Sequence, residues 1–439
     1  MLVRPLSPPE ETSLPLTFFD VFWVPAPPVQ RVFFYRLAPD ADTDAVLADL
    51  KDSLSHAVRA FFPLAGRLRL TPGTANRYEL YYLPGDAVAF TVAEYDDDDF
   101  DSLAADEPRD VARIAPLAPP LPDGGAVLAL QATLLSGGRR GLALGVTVHH
   151  AACDGAASTH FLHTWAAAAC CAGAGTTTLP PPPVIDRTLV SDPRGLYDVF
   201  CPPATASSTA EDKAFVKVPD DQQQLLATFT LSKDQLQRVK DVVAAEAAVS
   251  RCSSLVAALG FVWSCYHRAK PRDGRTCLLL PVDYRSRWKP PLPDKYFGNC
   301  MGGAFAIASG SELSAAEAGA GGGLLAACAA VAAGIEEAVS GDATEAMGVL
   351  KERAMEAVAM GGMLTVAGSP RFRVYELDMG FGRPAKVDVV SVARTGAVAV
   401  AESRAGDGGI EVGVCLPPEG MDAFRKCFAD VFAWLEEAQ

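Results

Sequence analysis

The chain has 439 residues, of which 49% are hydrophobic and 21% charged, and its formal net charge is −15. This length exceeds what one hydrophobic core usually fills, so two domains are expected, and the composition is that of a globular rather than a disordered protein. The acidic balance disfavours nucleic acid and anionic membrane surfaces as partners, since both require a basic footprint.

Cysteine usage and the N-terminus bear on the cellular compartment. The eleven cysteines include no C-x-x-C pair, which favours reduced thiols over a disulfide framework or a zinc site. The N-terminus lacks the apolar segment of a secretory signal, and no uninterrupted apolar stretch is long enough to span a bilayer. A cytoplasmic protein that does not bind membranes is therefore expected.

Strand-like and helix-like segments alternate through the first half of the chain. Residues 32–35 predict a strand, and the apolar spacing of residues 45–61 predicts a helix that ends in F-F-P-L-A-G-R-L. Two apolar stretches, 126–135 and 141–148, are joined by S-G-G-R-R and predict a β-hairpin. A further helix is predicted over residues 159–170.

A proline-rich segment separates the two halves. G-T-T-T-L-P-P-P-P-V, from Gly175, is incompatible with a helix or a central strand, because proline fixes φ and lacks a donor. We expect a crossover over residues 186–218. It would join an N-terminal domain, residues 1–185, to a C-terminal domain, residues 219–439.

The second half again mixes strands and helices. A strand at 226–231 precedes S-K-D-Q, a capping box that starts a helix at Ser232, and another helix is predicted at 254–268. Residues 315–339 predict an Ala- and Gly-rich helix preceded by a loop. A hairpin around R-A-G-D-G-G and a closing helix end the chain. Both halves are thus predicted to be mixed α/β.

The stretch V-T-V-H-H-A-A-C-D-G, from Val146 to Gly155, carries the strongest candidate chemistry. Side chains alternate between the faces of a strand, so His149 and His150 cannot both enter one cavity. His150 lies where the strand ends, and an imidazole with a pKa of about 6.5 suits a general base near neutral pH. Asp154 can orient that imidazole, or pin the turn through a distant arginine; the plain structural alternative is a satisfied histidine and an N-capping aspartate.

Other reaction classes lack their signatures. A metal held by His149, His150 and Asp154 is disfavoured because the two histidines point to opposite faces, so no metal is expected. The sequence has no G-x-S-x-G elbow, no Walker loop and no G-x-G-x-x-G after a strand. Direct transfer assisted by a general base is the main catalytic possibility that is left.

Five motifs in order resemble the plant BAHD family of acyl-CoA-dependent acyltransferases. H-H-A-A-C-D-G contains the family's H-x-x-x-D-G signature at His150, Asp154 and Gly155, and D-M-G-F-G-R-P at 378–384 is similar to its D-F-G-W-G-K-P motif. Y-F-G-N-C at 296–300, with L-P-L-T-F-F-D and P-L-A-G-R-L nearer the N-terminus, resembles the branch that acylates anthocyanin and flavonoid glycosides. The resemblance runs essentially from end to end.

The resemblance implies two domains, each like chloramphenicol acetyltransferase, with mixed sheets flanked by helices and a channel between them. Acyl-CoA and acceptor would reach His150 from opposite sides, and His150 would take the acceptor hydroxyl proton while the oxygen attacks the thioester. No acyl-enzyme, metal or permanently bound cofactor is implied. Asp154 would point away from the site and pair with Arg285, in V-D-Y-R-S-R.

The second motif departs from the family pattern at three positions, Met379, Phe381 and Arg383. Its glycines are kept. The resemblance implies that Asp378, Gly380 and Gly382 build a structural buckle that tolerates these changes.

Two helix starts in the second half are candidates for binding the CoA phosphates. Helix N-termini offer free N–H groups and a favourable dipole for anions, and the candidates are Ser232, Lys233, Ser253 and Ser254. The alternative is ordinary helix caps with a solvated lysine.

The segment G-S-P-R-F-R-V-Y, residues 368–375, concerns the acyl group. Where hydroxycinnamoyl-transferring relatives carry a tryptophan this sequence has Ser369, and S-P-R-F resembles malonyl-transferring members. A buried malonyl carboxylate needs a guanidinium partner. On an edge strand Arg371 and Arg373 would share a face, and Arg371 is expected to reach the channel; two surface arginines are the plain alternative.

The function implied by the resemblance is transfer of malonyl from malonyl-CoA to a sugar hydroxyl of a flavonoid or other phenolic glucoside, by a monomer. The alternatives are transfer of an aromatic acyl group such as coumaroyl or caffeoyl, and a family member that binds metabolites without turnover. The sequence does not identify the acceptor, since its pocket is built from loops.

Overall fold

The computed structural model describes residues 1–137, 141–174, 178–203, 222–246, 252–315 and 321–437. Its strands are β1 Leu2–Val3, β2 Thr12–Pro15, β3 Val29–Arg36, β4 Arg67–Leu70, β5 Tyr78–Tyr82, β6 Val88–Asp99, β7 Arg109–Asp110, β8 Leu128–Gly137, β9 Gly141–Val148, β10 Leu225–Leu231, β11 Arg275–Asp283, β12 Met301–Ser309, β13 Leu364–Gly368, β14 Lys386–Val389, β15 Val398–Glu402 and β16 Ile410–Leu416.

The α-helices are α1 Phe18–Val21, α2 Thr43–Ala60, α3 Phe100–Leu103, α4 Val111–Ile114, α5 Gly155–Ala174, α6 Leu196–Phe200, α7 Lys233–Ala245, α8 Ser254–Ala269, α9 Gly310–Ser314, α10 Gly321–Ser340, α11 Ala343–Ala359, α12 Val392–Thr395 and α13 Pro418–Glu437.

A six-stranded sheet is built mainly from the first half of the chain, in the order β1-β6-β8-β9-β3-β14. β8 and β9 pair antiparallel, which confirms the two strands of the predicted hairpin; the residues between them, 138–140, lie outside the described part. All of β9 is buried between β8 and β3. This central position explains why its sequence is an apolar run rather than an alternation.

A seven-stranded sheet holds most of the second half, in the order β12-β11-β13-β15-β16-β10-β7. Its antiparallel pair β15–β16 is the predicted C-terminal hairpin, and the predicted strand at 226–231 is β10. β13 pairs parallel with both of its neighbours. The sheet is therefore mixed, and the predicted mixed α/β class is confirmed.

Each large sheet includes a strand from the other half of the chain. β7 pairs with β10, and β14 pairs with β3. Arg109 of β7 and Asp388 of β14 form a buried ion pair at this crossing, with Nη1 and Oδ2 2.7 Å apart. The two halves are interlocked, whereas the boundaries at residues 185 and 219 stay a prediction. Of the expected crossover, residues 186–203 are described and carry α6.

The predicted helices are present with somewhat different bounds. The helix expected at 45–61 is α2, and the one expected at 159–170 is α5, which begins four residues earlier at Gly155. α5 begins there because Asp154 caps it, its Oδ1 accepting a hydrogen bond from the Ala157 N–H at 2.9 Å. α2 and α5 pack against each other, and the Trp165 indole donates to the Leu50 carbonyl at 3.1 Å.

Within the described ranges, one helical stretch is long and apolar enough to cross a membrane by length and composition, residues 323–340 of α10. The stretch includes Glu336 and Glu337, so it is not the uninterrupted apolar segment whose absence the sequence predicts. α10 packs against α8 and β12. At Gly334 an added Cβ would lie 2.8 Å from the carbonyl oxygen of Phe305 in β12. Length and composition are weak grounds for a span, because core helices share them.

Candidate active site

A cavity of about 2360 Å³ is lined by residues from both halves of the chain. Its walls include the turn after β9, the first turns of α5 and α8, and one face of α11. Sites for a single small molecule typically measure roughly 300–1,000 Å³. The cavity therefore has room for two substrates, and His150 is among its lining residues.

His150 lies two residues beyond the end of β9, at the wall of this cavity. The indole of Trp23 stacks on its imidazole, with ring centroids 3.9 Å apart and an interplanar angle of 15°. The side-chain amide of Asn299 donates to the main-chain oxygen of His150 at 2.9 Å. Ring and backbone are therefore each held by a separate contact.

The imidazole of His150 is set up to be neutral. Burial lowers the pKa of His150 from its ordinary value of 6.5, although the nearby Asp154 carboxylate acts in the opposite direction. Its Nδ1 atom is buried and has no hydrogen-bond partner of ordinary geometry in the described part of the chain. Nε2 is therefore the nitrogen that a substrate in the cavity can reach.

His149 belongs to the turn and is not among the described residues that line the cavity. Its Nδ1 accepts a hydrogen bond from the Ala151 N–H at 3.2 Å, and burial lowers the pKa of His149 to about 4. The structure thus separates the two histidines, as strand alternation predicts.

Asp154 forms a bidentate ion pair with Arg285. Nη1 lies 2.9 Å from Oδ2 and Nη2 lies 3.0 Å from Oδ1, and the two side chains are 3% and 4% exposed. Oδ2 also accepts the Cys300 N–H at 3.0 Å. Although burial acts to lower the pKa of Arg285, the Asp154 carboxylate raises it above its ordinary value. The carboxylate thus ties the start of α5 to the second half, as the resemblance implies.

A second buried network of hydrogen bonds, centred on Asp20, holds the turn that carries His150. Sequence reasoning missed it. Oδ1 of Asp20 accepts hydrogen bonds from the main-chain and side-chain N–H groups of Asn299 at 2.9 and 3.0 Å. Arg187 lies 3.2 Å from the other oxygen of Asp20. Because Asn299 also donates to His150, the motifs L-P-L-T-F-F-D and Y-F-G-N-C meet here. Both motifs were visible in the sequence, but their spacing does not show that they are neighbours in the fold.

Gly155 allows the close approach of Phe372. A Cβ at Gly155 would lie 2.7 Å from two ring atoms of Phe372. About two turns further along α5, His163 Nε2 lies 2.9 Å from the main-chain oxygen of Phe372. The glycine of the first motif thus sets the distance between α5 and the 370–372 segment.

The second motif is a turn, and none of its described residues lines the cavity. Oδ1 of Asp378 accepts the N–H groups of Gly380 and Gly382 at 2.9 and 3.1 Å. The two glycines have φ of +87° and +115°, a backbone conformation that strongly favours glycine. Phe381 packs edge-on against Tyr35, with centroids 5.2 Å apart. This geometry is that of a structural buckle.

The structure separates the four CoA-binding candidates. Ser253 and Ser254 line the cavity, and Nζ of Lys240 donates to the Ser254 hydroxyl at 3.2 Å. Ser232 and Lys233 are not among the described lining residues. The Ser232 hydroxyl caps α7 just as the Ser253 hydroxyl caps α8, so it is the position relative to the cavity that separates the two pairs. These two fit the alternative of an ordinary cap beside an exposed lysine. Lys240 was missed because nothing in the sequence distinguishes it from other polar positions of α7.

The segment predicted as an edge strand is a short 3-10 helix, Pro370–Phe372. Ser369 caps it by accepting the Arg371 N–H at 3.2 Å, and Arg373 has a left-handed backbone with φ of +50°. Pro370 and this conformation end β13, so the prediction that the two arginines share a strand face is wrong. Both arginines are exposed at the cavity wall, and Arg373 pairs with Glu376 at 2.6 Å.

No group of three or more His, Cys, Asp or Glu side chains in the described ranges is placed to hold a metal ion. The eleven cysteines are free thiols.

Sequence comparison places the chain in a known family. The model of the family described as the Transferase family matches residues 1–431. A malonyl-CoA:anthocyanidin 5-O-glucoside-6''-O-malonyltransferase of Arabidopsis thaliana is 32% identical, and the match covers 97% of this chain and 96% of the relative. Coumaroyl-CoA:anthocyanidin 3-O-glucoside-6''-O-coumaroyltransferase 2 of the same plant is 29% identical, with 95% and 94% covered.

Among solved structures, vinorine synthase superimposes with a TM-score of 0.71 at 20% identity, covering 96% of this chain and 95% of that one. This likeness concerns the fold, and it confirms the two-sheet acyltransferase architecture that the resemblance implies. Together with this fold, the family match and the five motifs show that the chain belongs to the BAHD family and is an acyl-CoA-dependent acyltransferase.

Proposed function

We propose that this acyltransferase moves malonyl from malonyl-CoA to a sugar hydroxyl of a flavonoid or other phenolic glucoside, with His150 as the general base. The observation that carries the proposal is the position of His150. It lies on a cavity of about 2360 Å³ lined by both halves of the chain, with Nδ1 enclosed and Nε2 left for substrate. The name of the malonyl-transferring relative supports the choice of donor and acceptor.

The reaction needs no covalent acyl-enzyme. Nε2 of His150 accepts the proton of the acceptor hydroxyl while the oxygen attacks the thioester carbonyl carbon. The tetrahedral intermediate collapses, the C–S bond breaks, and the imidazolium returns the proton to the CoA sulfur. The imidazole must be neutral at the start, and the lowered pKa of His150 keeps it so near pH 7. Stacking on Trp23 holds the ring plane for both transfers.

We assign binding of the CoA phosphates to the start of α8. Ser253 and Ser254 lie on the cavity wall at the N-terminus of this 16-residue helix, and Lys240 adds a positive charge beside them. Replacing Lys240 by Met should raise KM for acyl-CoA about tenfold with little change in kcat, as expected for one lost charge-assisted contact. The matched control is Lys233→Met, an exposed lysine at the start of α7. Neither lysine is among the described lining residues, and of the two it is Lys240 that contacts Ser254. A larger effect at Lys233 would reverse this assignment.

The donor is tested by a panel of malonyl-CoA, acetyl-CoA and coumaroyl-CoA against a flavonoid glucoside, with thiol release followed and the aglycone as the control acceptor. Malonyl-CoA should have the highest kcat/KM. Preference for coumaroyl-CoA would replace the proposal by aromatic acyl transfer, which the coumaroyl-transferring relative favours. Binding of glucoside and donor without thiol release would identify a non-catalytic family member.

We also propose that the protein works as a monomer in the cytoplasm. The eleven free thiols fit a reducing compartment. Light scattering at micromolar concentration should give the mass of one chain, and a fluorescent fusion in plant cells should be diffuse in the cytoplasm. A dimer mass or an organellar signal would contradict the respective half of this proposal.

A further inference from the structure

Arg31 is placed on the apolar face of a central strand. Side chains of β3 alternate, so Arg31 shares its face with Phe33 and Tyr35, which are fully buried in the main core. Its guanidinium is held by two neutral hydroxyls of α5. Nη2 donates to Ser158 at 3.0 Å and Nη1 donates to Thr159 at 3.3 Å.

Arg31 differs from the other enclosed arginines because it lacks a counter-ion in the described part of the chain. Arg109, Arg187 and Arg285 each form an ion pair with a buried aspartate. Arg31 has no ion pair with any carboxylate in the described part of the chain. A desolvated cation without a counter-ion is unfavourable, and burial accordingly lowers the pKa of Arg31 from its ordinary value. The position is suited to an anion supplied from outside the chain.

The free side of Arg31 faces the reaction. Arg31, Ser158, Thr159 and His150 all line the same cavity. The charge of Arg31 is close enough to His150 to act on the pKa of the imidazole, which it lowers. An anionic group bound to Arg31 would thus lie beside the catalytic histidine.

We propose that Arg31 binds the terminal carboxylate of the acyl donor and so selects malonyl over uncharged acyl groups. This inference rests on the proposed malonyl donor. The malonyl carboxylate is two bonds from the carbonyl carbon that reacts, so its partner must lie close to His150. The planar guanidinium can meet a carboxylate with two parallel hydrogen bonds. Arg371, the arginine favoured by the sequence, is exposed at the cavity wall, where water screens its charge.

The test compares two donors that differ in charge more than in size, malonyl-CoA and butyryl-CoA. In Arg31→Met, kcat/KM for malonyl-CoA should fall about 100-fold, while the value for butyryl-CoA stays within about threefold of wild type. Arg31→Lys keeps the charge without the planar fork and should lose about tenfold with malonyl-CoA. Arg36→Met is the matched control, because Arg36 lies on the same strand but is exposed and paired with Asp101.

Several outcomes would overturn the inference. Equal losses with both donors in Arg31→Met, at a native melting temperature, would assign Arg31 a role unrelated to the carboxylate. A malonyl-selective loss in Arg371→Met but not in Arg31→Met would return the carboxylate to Arg371. If Arg31→Met does not fold, Arg31→Lys is assayed in its place. A larger fall in kcat/KM for malonyl-CoA than for butyryl-CoA then supports the inference, and equal falls overturn it. A wild-type enzyme that rejects malonyl-CoA but uses butyryl-CoA would disprove the proposed donor itself, and the inference with it.

Discussion

Replacing Asp154 by Asn should reduce stability and activity together. The substitution keeps the shape of the side chain but leaves the Arg285 guanidinium, 4% exposed, without its bidentate partner. It also sets a side-chain N–H₂ against donors, since the two carboxylate oxygens accept from Ala157, Cys300 and Arg285. Breaking a buried ion pair costs about 3–5 kcal/mol. The lower end applies here, because Asp283 lies 3.3 Å from Arg285 and offers partial compensation.

A loss of about 3 kcal/mol can be measured in this chain. With an unfolding entropy of about 2 cal/mol/K per residue, the melting temperature should fall by roughly 3 °C. Asp283→Asn is the matched control, since that carboxylate contacts the same arginine but is 57% exposed, and it should cost less than about 1 kcal/mol. Arg285→Met added to Asp154→Asn should recover part of the loss, because it removes the unpaired charge.

Thermal melting and thiol release are measured on the same preparations. An Asp154→Asn variant that melts like wild type and yet has lost activity would refute this reasoning, because it would show that the carboxylate acts in catalysis rather than in holding the turn. Equal destabilisation by Asp154→Asn and Asp283→Asn would refute the assignment of the buried pair.

Three further predictions concern the histidines and their neighbours. His150→Ala should abolish transfer with a nearly unchanged melting temperature, whereas His149→Ala should keep most of the activity; similar losses in both would show that the base is misassigned. Trp23→Leu removes the stacked ring and should lower kcat about tenfold with KM for the donor unchanged, and Trp23→Phe should restore much of it; an unchanged kcat in Trp23→Leu would exclude a positioning role. Burial lowers the pKa of His149 and of His160 to about 4, against about 6.5 in the unfolded chain. Between these values the unfolded state binds more protons, so the free energy of unfolding should decrease as the pH falls from about 6.5 to about 4. Urea titrations at pH 7 and pH 5 measure this, and equal or greater stability at pH 5 would contradict it.

Local patterns in the sequence were sufficient for several strands and helices and for the choice of His150 as the proposed base. The apolar run of β9 and the alternation around R-A-G-D-G-G mark strands because burial on one or both faces is written in consecutive residues. The end of β9 then places His149 and His150 on different sides by backbone geometry alone. For the same reason the capping box at Ser232 was readable, since all of its hydrogen bonds join residues three apart.

Contacts between distant segments were decided only by the tertiary structure. No spacing rule joins Asp20 to Asn299 across 279 residues. Nor does any spacing rule place β7 in the sheet of the second half or β14 in the sheet of the first half. The Arg371 segment was misread as a strand because the left-handed backbone at Arg373 is visible only in three dimensions.

Arg31 makes the same point about charge. In the sequence it is an ordinary arginine beside an apolar strand, and whether a charge has a counter-ion depends on every chain segment that folds against it. The fold surrounds Arg31 with hydroxyls of α5 and opens it to the cavity that holds His150. Local sequence determines which elements form because neighbouring residues share one backbone geometry, but electrostatic complementarity is a property of groups brought together only by folding.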